Sequence, residues 1–94
     1  MTERKQVEQE LYRLANFDGL TNLVNRGYFH AGLEKAVAKS RRNGDHLAVS
    51  LLDLDHFKYV NDHYGHDAGD EMLRCVSARM SECIRSSDTA ARLG

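Results

Sequence analysis

Apolar positions recur along this chain with two different periods, and the changes of period divide it into elements. Residues 1–15 are strong helix formers without Gly or Pro, and Val7, Leu11 and Leu14 fall on one stripe, which predicts an amphipathic helix. Asn16 to Arg26 breaks that period and reads as a loop, with Asp18 and Thr21 as turn and cap residues and Leu20 and Leu23 pointing inward. A second helix is predicted from about Asn25 or Arg26 to Arg42, with Phe29, Leu33, Ala36 and Val37 on its apolar face. Asn25 suits its N-cap, and Asn43-Gly44 is a stop signal. The run His46 to Leu52 alternates and is rich in Val and Leu, as a buried strand would be. From about His56 the helical period returns with Phe57, Val60 and Tyr64, and Gly65 and Gly69 free the turn that follows. A last helix is predicted from Asp67 or Ala68 to Arg85, with Met72, Leu73, Val76, Met80, Cys83 and Ile84 as its stripe, and Thr89 to Leu93 begins a second strand.

Ninety-four residues make one domain at most, and the net charge of −1 comes from interleaved acids and bases. That balance carries no nucleic-acid footprint and no membrane-surface patch. No apolar run is long enough to span a bilayer, and no signal peptide is recognisable. Cys75 and Cys83 lie eight residues apart on one predicted helix, about 12 Å of rise, too far for a disulfide. They read as reduced core thiols of a cytoplasmic protein.

The candidate chemistry sits where the first strand ends. Asp53 and Asp55 are two apart, so an extended backbone points both carboxylates to one side. Acids at the end of a buried strand need a positive or hydrogen-bonding partner, and Mg²⁺ held with substrate phosphates is one common answer; capping of the next helix is the other. Backbone amides of the helix starting at His56, with Lys58 beside them, form a positive cradle next to these carboxylates. Together these are the parts of a nucleoside triphosphate site. Asn61 and Asp70 offer an amide and a carboxylate suited to a guanine edge, while Asp70 in a first helical turn also suits the helix dipole. Arg41 and Arg42 complement the end of their own helix. His56, His63 and His66 lack standard zinc spacing.

The segment D-L-D-H-F-K-Y-V-N-D-H-Y-G-H-D-A-G-D, Asp53 to Asp70, resembles the signature of GGDEF domains, the diguanylate cyclases that make cyclic di-GMP. Asp18 to Arg26, D-G-L-T-N-L-V-N-R, is similar to the family's opening motif, with Val24 where proline is usual. Ala91 to Gly94 resembles the residues leading into the motif that names the family, and Gly94 matches its first glycine. The resemblance implies an α/β (α+β) fold, a ferredoxin-type sandwich of the nucleotidyl-cyclase kind, truncated, helix-rich, with one full strand and the start of a second. It implies a lead-in linker or signalling helix over 1–15, either packing on its own domain or pairing with its copy, and a partial GGDEF domain over 16–94. Site roles follow by the same resemblance: Asp53 and the Leu54 carbonyl for Mg²⁺ or Mn²⁺, and His56, Phe57 and Lys58 for phosphates. Asn61 and Asp70 would read guanine, with Leu20 and Leu73 at the substrate, Leu20 serving equally well as a core leucine. Arg85 and Asp88, which by themselves read as a helix end, resemble the R-x-x-D site where cyclic di-GMP binds and inhibits. The implied function is condensation of two GTP into cyclic di-GMP by a homodimer of intact domains, in the bacterial cytoplasm and at the end of a longer sensor protein. The family's catalytic acidic residue has no counterpart in these residues, so the chain alone is expected not to catalyse. The alternative is a non-catalytic remnant that binds GTP or cyclic di-GMP, or pairs with an intact cyclase. One strand and a fragment make no independent sheet, which leaves edges and apolar helix faces uncovered.

Overall fold

A computed structural model describes residues 2–94, with side chains from Glu3 onward; Met1, the first residue of the expected lead-in helix, lies outside the described residues. Four helices follow one another: α1 (Thr2–Asn16), α2 (Arg26–Asn43), α3 (Phe57–Tyr64) and α4 (His66–Cys83). Their bounds follow local chemistry. Asn25 sits in an extended conformation and its side-chain oxygen accepts the Tyr28 N–H at 2.9 Å, which caps α2. At the other end Gly44 adopts the left-handed conformation, φ 69°, and its N–H reaches the Ser40 carbonyl. Gly65, at φ 91°, stands between α3 and α4 and returns its N–H to the Asn61 carbonyl at 3.0 Å.

Two expected ends move. α4 begins at His66, a residue or two before the predicted start, and ends at Cys83, two residues short of Arg85. Ile84 is already extended, at φ −101° and ψ 160°, and the Arg85 N–H goes to the Asp88 carboxylate at 3.0 Å, so the helical ladder stops.

The strand expected over His46–Leu52 does not form. Residues 45–54 carry no regular structure, and Leu47, Val49, Leu51 and Leu52 are exposed, Leu51 at 83%. The expected second strand is reduced to a single parallel bridge between Val24 and Ala91, beside an antiparallel bridge between Phe17 and Val24. A strand is held by its neighbours, and among the described residues none lies alongside 45–54. The apolar faces remain open for the same reason. Leu23 is the one buried apolar side chain among the described residues. The expected core positions Phe29, Leu33, Ala36 and Val37 on α2 are half-buried, as are Met72, Leu73, Val76 and Met80 on α4. Cys75 and Cys83 are free and exposed, so they are surface thiols and not core ones. The radius of gyration is 16.2 Å, where a compact chain of this length has about 12 Å. The accessible surface is 8026 Å², against about 5,500 Å² for a compact monomer of this mass.

Order concentrates in two places. α3 and α4 pack as a hairpin. The second is the joint between α1 and α2, where the antiparallel pair Asp18 N–H to Leu23 carbonyl (2.6 Å) and Asn25 N–H to Asn16 carbonyl (2.9 Å) closes the loop.

Candidate functional site

The acidic corner predicted after the first apolar run lies between the irregular segment and α3. Asp53 and Asp55 are exposed and Leu54 is half-buried. His56 then takes the left-handed conformation, φ 63° and ψ 14°, which is sparsely populated for a residue with a side chain. This turns the chain directly into α3: the Phe57 N–H donates to the Leu54 carbonyl at 3.4 Å, and the Val60 N–H to the His56 carbonyl at 3.0 Å. The first-turn amides of α3 therefore begin within a few residues of both carboxylates, and first-turn amides have no partner inside their own helix. Lys58 is exposed on that first turn.

Asp53, Leu54 and Phe57 line a cleft of about 940 Å³, together with Leu73 of α4, Asp88 and Arg92. Five of the expected site residues thus share one cleft. His56, Lys58, Asn61, Asp70, Leu20 and Arg85 are not among its lining residues. Asn61 lies instead at the α3–α4 hairpin, against Gly69, the residue before Asp70. Gly69 is buried there, and a β-carbon on it would fall 1.7 Å from Asn61 Oδ1 and 2.7 Å from Asn61 Cγ, so only glycine fits. The glycine lets the Asn61 amide lie against the first turn of α4, next to Asp70, which is half-buried. Leu20 is half-buried in the Asp18–Thr21 turn. Arg85 and Asp88 form an exposed reciprocal turn, the Asp88 N–H donating to the Arg85 carbonyl at 3.0 Å and the Arg85 N–H to Asp88 Oδ2 at 3.0 Å.

Sequence reasoning missed the long-range partner of Asp18. Asp18 Oδ2 accepts from the Thr21 N–H at 2.9 Å and the Thr21 hydroxyl at 2.7 Å, and Arg92 Nη1 reaches the same oxygen at 3.2 Å. Partial burial pushes the Asp18 carboxyl upward, but the Thr21 hydrogen bonds and the Arg92 guanidinium outweigh it and hold it below the usual carboxylate range. Arg92 is 74 residues away in sequence, so no local pattern pointed to it.

The donor set at the corner fits a hard divalent cation in part. One carboxylate, Asp53, and one backbone carbonyl, Leu54, are oxygen ligands of the kind Mg²⁺ takes when phosphates and water complete its shell. The Leu54 carbonyl keeps a lone pair beyond its 3.4 Å contact with the Phe57 N–H.

The family model "Diguanylate cyclase, GGDEF domain" matches residues 15–94. The diguanylate cyclase DgcS of Shewanella oneidensis is 43% identical over 86 residues, covering 92% of this chain and 29% of that protein. The cyclic di-GMP phosphodiesterase NbdA of Pseudomonas aeruginosa is 45% identical over 82 residues, 87% of this chain and 10% of that protein. The crystal structure of the coiled coil and GGDEF domain of DgcB from Caulobacter crescentus, in complex with c-di-GMP, superposes with a TM-score of 0.84 at 37% identity. That match covers 99% of this chain and 48% of the other. The chain therefore spans less than a third of the two curated relatives and about half of the solved chain.

Proposed function

The chain belongs to the GGDEF family of diguanylate cyclase domains, and from that premise we propose that its 53–70 segment is the GTP-holding half of a cyclase site. The observation that carries this reading is the corner itself: Asp53 and Leu54 stand within three residues of a left-handed His56 that opens α3, and Asp53, Leu54 and Phe57 line one cleft. Asp53 and the Leu54 carbonyl would hold Mg²⁺ or Mn²⁺. When bound, that ion supplies charge stabilisation for the phosphate oxygens. The amides of His56 and Phe57 donate to the phosphates, and the Lys58 ammonium neutralises their charge. Asn61 on α3 and Asp70 on α4 pair with the guanine edge, Asp70 accepting from N1–H and N2–H₂. Leu20 and Leu73 contribute apolar contact. In an intact homodimer each domain holds one GTP and presents its 3′-hydroxyl to the other's α-phosphate. Arg85 and Asp88 form the product site for cyclic di-GMP, and the α1 helix serves as the lead-in from a sensor, with the whole working in the bacterial cytoplasm.

A second reading has its own support. A relative as similar as NbdA is a cyclic di-GMP phosphodiesterase, so a domain of this kind also occurs in proteins named for the opposite reaction. There the same residues would bind GTP or cyclic di-GMP as a regulatory module and would not turn it over.

Calorimetry tests nucleotide binding in both cases. GTP with Mg²⁺ should bind more tightly than ATP, and Asn61→Ala or Asp70→Ala should each remove about 1–3 kcal/mol of that preference, by analogy with base reading in DNA. An unchanged GTP-to-ATP ratio in both variants overturns the guanine assignment. Cyclic di-GMP binding should be lost in Arg85→Ala, and unchanged binding returns Arg85 to a turn residue. Release of cyclic di-GMP from GTP, measured in a chain extended past Gly94, separates the enzyme from the regulator.

A further inference from the structure

We infer that Asn25 is a positioning residue that couples the direction of α1 to the placement of residues 90–92, over and above its role as a helix cap. One amide group serves two helices. Its oxygen accepts the Tyr28 N–H at 2.9 Å and caps α2, while its nitrogen donates to the Ala15 carbonyl in the last turn of α1 at 2.8 Å. Its backbone N–H is also committed to α1, donating to the Asn16 carbonyl at 2.9 Å. Three hydrogen bonds from one residue therefore fix the angle at which α1 meets α2. Aromatic packing backs them: the Phe17 ring stacks on Tyr28 at 6.2 Å between centroids and tilts against Tyr12 at 6.4 Å, so rings from both helices and the joint are in contact.

The residue before Asn25 carries that geometry across the chain. Val24 bridges Phe17 on one side and Ala91 on the other. Its N–H donates to the Ala90 carbonyl at 3.2 Å, and its carbonyl accepts the Arg92 N–H at 2.9 Å. Arg92 in turn reaches Asp18 at 3.2 Å, one residue past the joint on its other strand. Residues 90–92 are thus held to this joint by two backbone bonds and one ion pair, and they border the cleft that also holds Asp53. A change in the α1 direction must strain or break the Asn25 bonds, and Val24 passes the displacement on.

Residue-resolved hydrogen exchange on the 94-residue chain tests this with two substitutions. Asn25→Asp keeps an oxygen for the Tyr28 N–H but replaces the amide donor with a carboxylate that repels the Ala15 carbonyl. Asn25→Ser keeps a cap oxygen without a charge, and its shorter side chain has no amide N–H to reach the Ala15 carbonyl. Both should leave the Tyr28 amide protected while the Val24 and Arg92 amides exchange roughly three- to tenfold faster, the factor for one hydrogen bond of ordinary net strength. Unchanged protection at Val24 and Arg92 overturns the proposal and leaves Asn25 a cap. Equal acceleration at every amide, those inside α4 included, also overturns it, since Asn25 would then support stability generally.

Discussion

Two stretches of the chain meet opposite fates in this molecule. Between Phe17 and Asn25 the chain is closed on itself, and Leu23 is buried at 8% exposure. Between Asp45 and Leu54, a run with stronger strand character carries no regular structure and leaves Leu51 at 83% exposure. The difference is where the partners come from. The joint supplies its own: Thr21 satisfies Asp18, Asn25 satisfies two helix ends, and a short bridge brings in residues 90–92. The apolar run has no side-chain caps to call on and needs a strand on each flank, which the described residues do not provide. Hydrophobic pattern states what a segment would bury, and only neighbours decide whether it does.

The comparison breaks most easily at Leu23. Leu23→Ala should cost about 2–3 kcal/mol in urea unfolding, near the low end for a buried leucine because the surroundings are open. A cost under about 0.5 kcal/mol would make the joint as loose as the 45–54 run. Asp18→Ala comes next, at about 1–2 kcal/mol, since it removes the acceptor of two Thr21 hydrogen bonds and an ion pair that is about a quarter exposed. The same carboxylate sets a pH dependence. Its folded-state affinity for protons is lowered, so the unfolded chain binds the proton more readily and stability rises with pH. The contribution is complete above the ordinary aspartate value of about 3.9 and is lost as pH falls through the lower folded value. Urea midpoints measured downward from pH 6 should therefore fall in acid, and Asp18→Asn should flatten that part of the curve. A parallel fall in the variant assigns the acid sensitivity elsewhere. The smallest effect is expected at Leu51: Leu51→Ser should change the midpoint by less than about 0.5 kcal/mol, where a buried strand position would lose several times more.

The same contrast separates what the residues disclosed from what they did not. The four helices were legible because their period and caps are local; Asn25 and Gly44 fix the ends of α2 through atoms a few residues away. No strand forms over His46–Leu52, because alternation records a preference for burial and says nothing of available neighbours. Cys75 and Cys83 depart from the expected core for a similar reason: small apolar residues on a helix suggest a covered face, and theirs is open. The Asp18–Arg92 pair spans 74 residues and leaves no local trace, although both ends fall inside motifs already noted. The left-handed His56 was equally hidden, because a histidine carries no sequence signal for that conformation. Of the candidate site, the acidic pair and the helical turn that follows it could be read from spacing alone. That Asn61 rests against Gly69, and so beside Asp70, emerged from the packing of α3 on α4.

The claim on which the functional account turns is that the corner from Asp53 to Lys58 grips a divalent ion together with nucleotide phosphates. Mn²⁺ added to the chain in the presence of GTP makes this directly visible, because the ion broadens nearby amide resonances. The account predicts selective broadening of Asp53, Leu54 and the first turn of α3, abolished in Asp53→Ala. Broadening centred on other acids, such as Asp62 and Asp67, or left unchanged by Asp53→Ala, would contradict it.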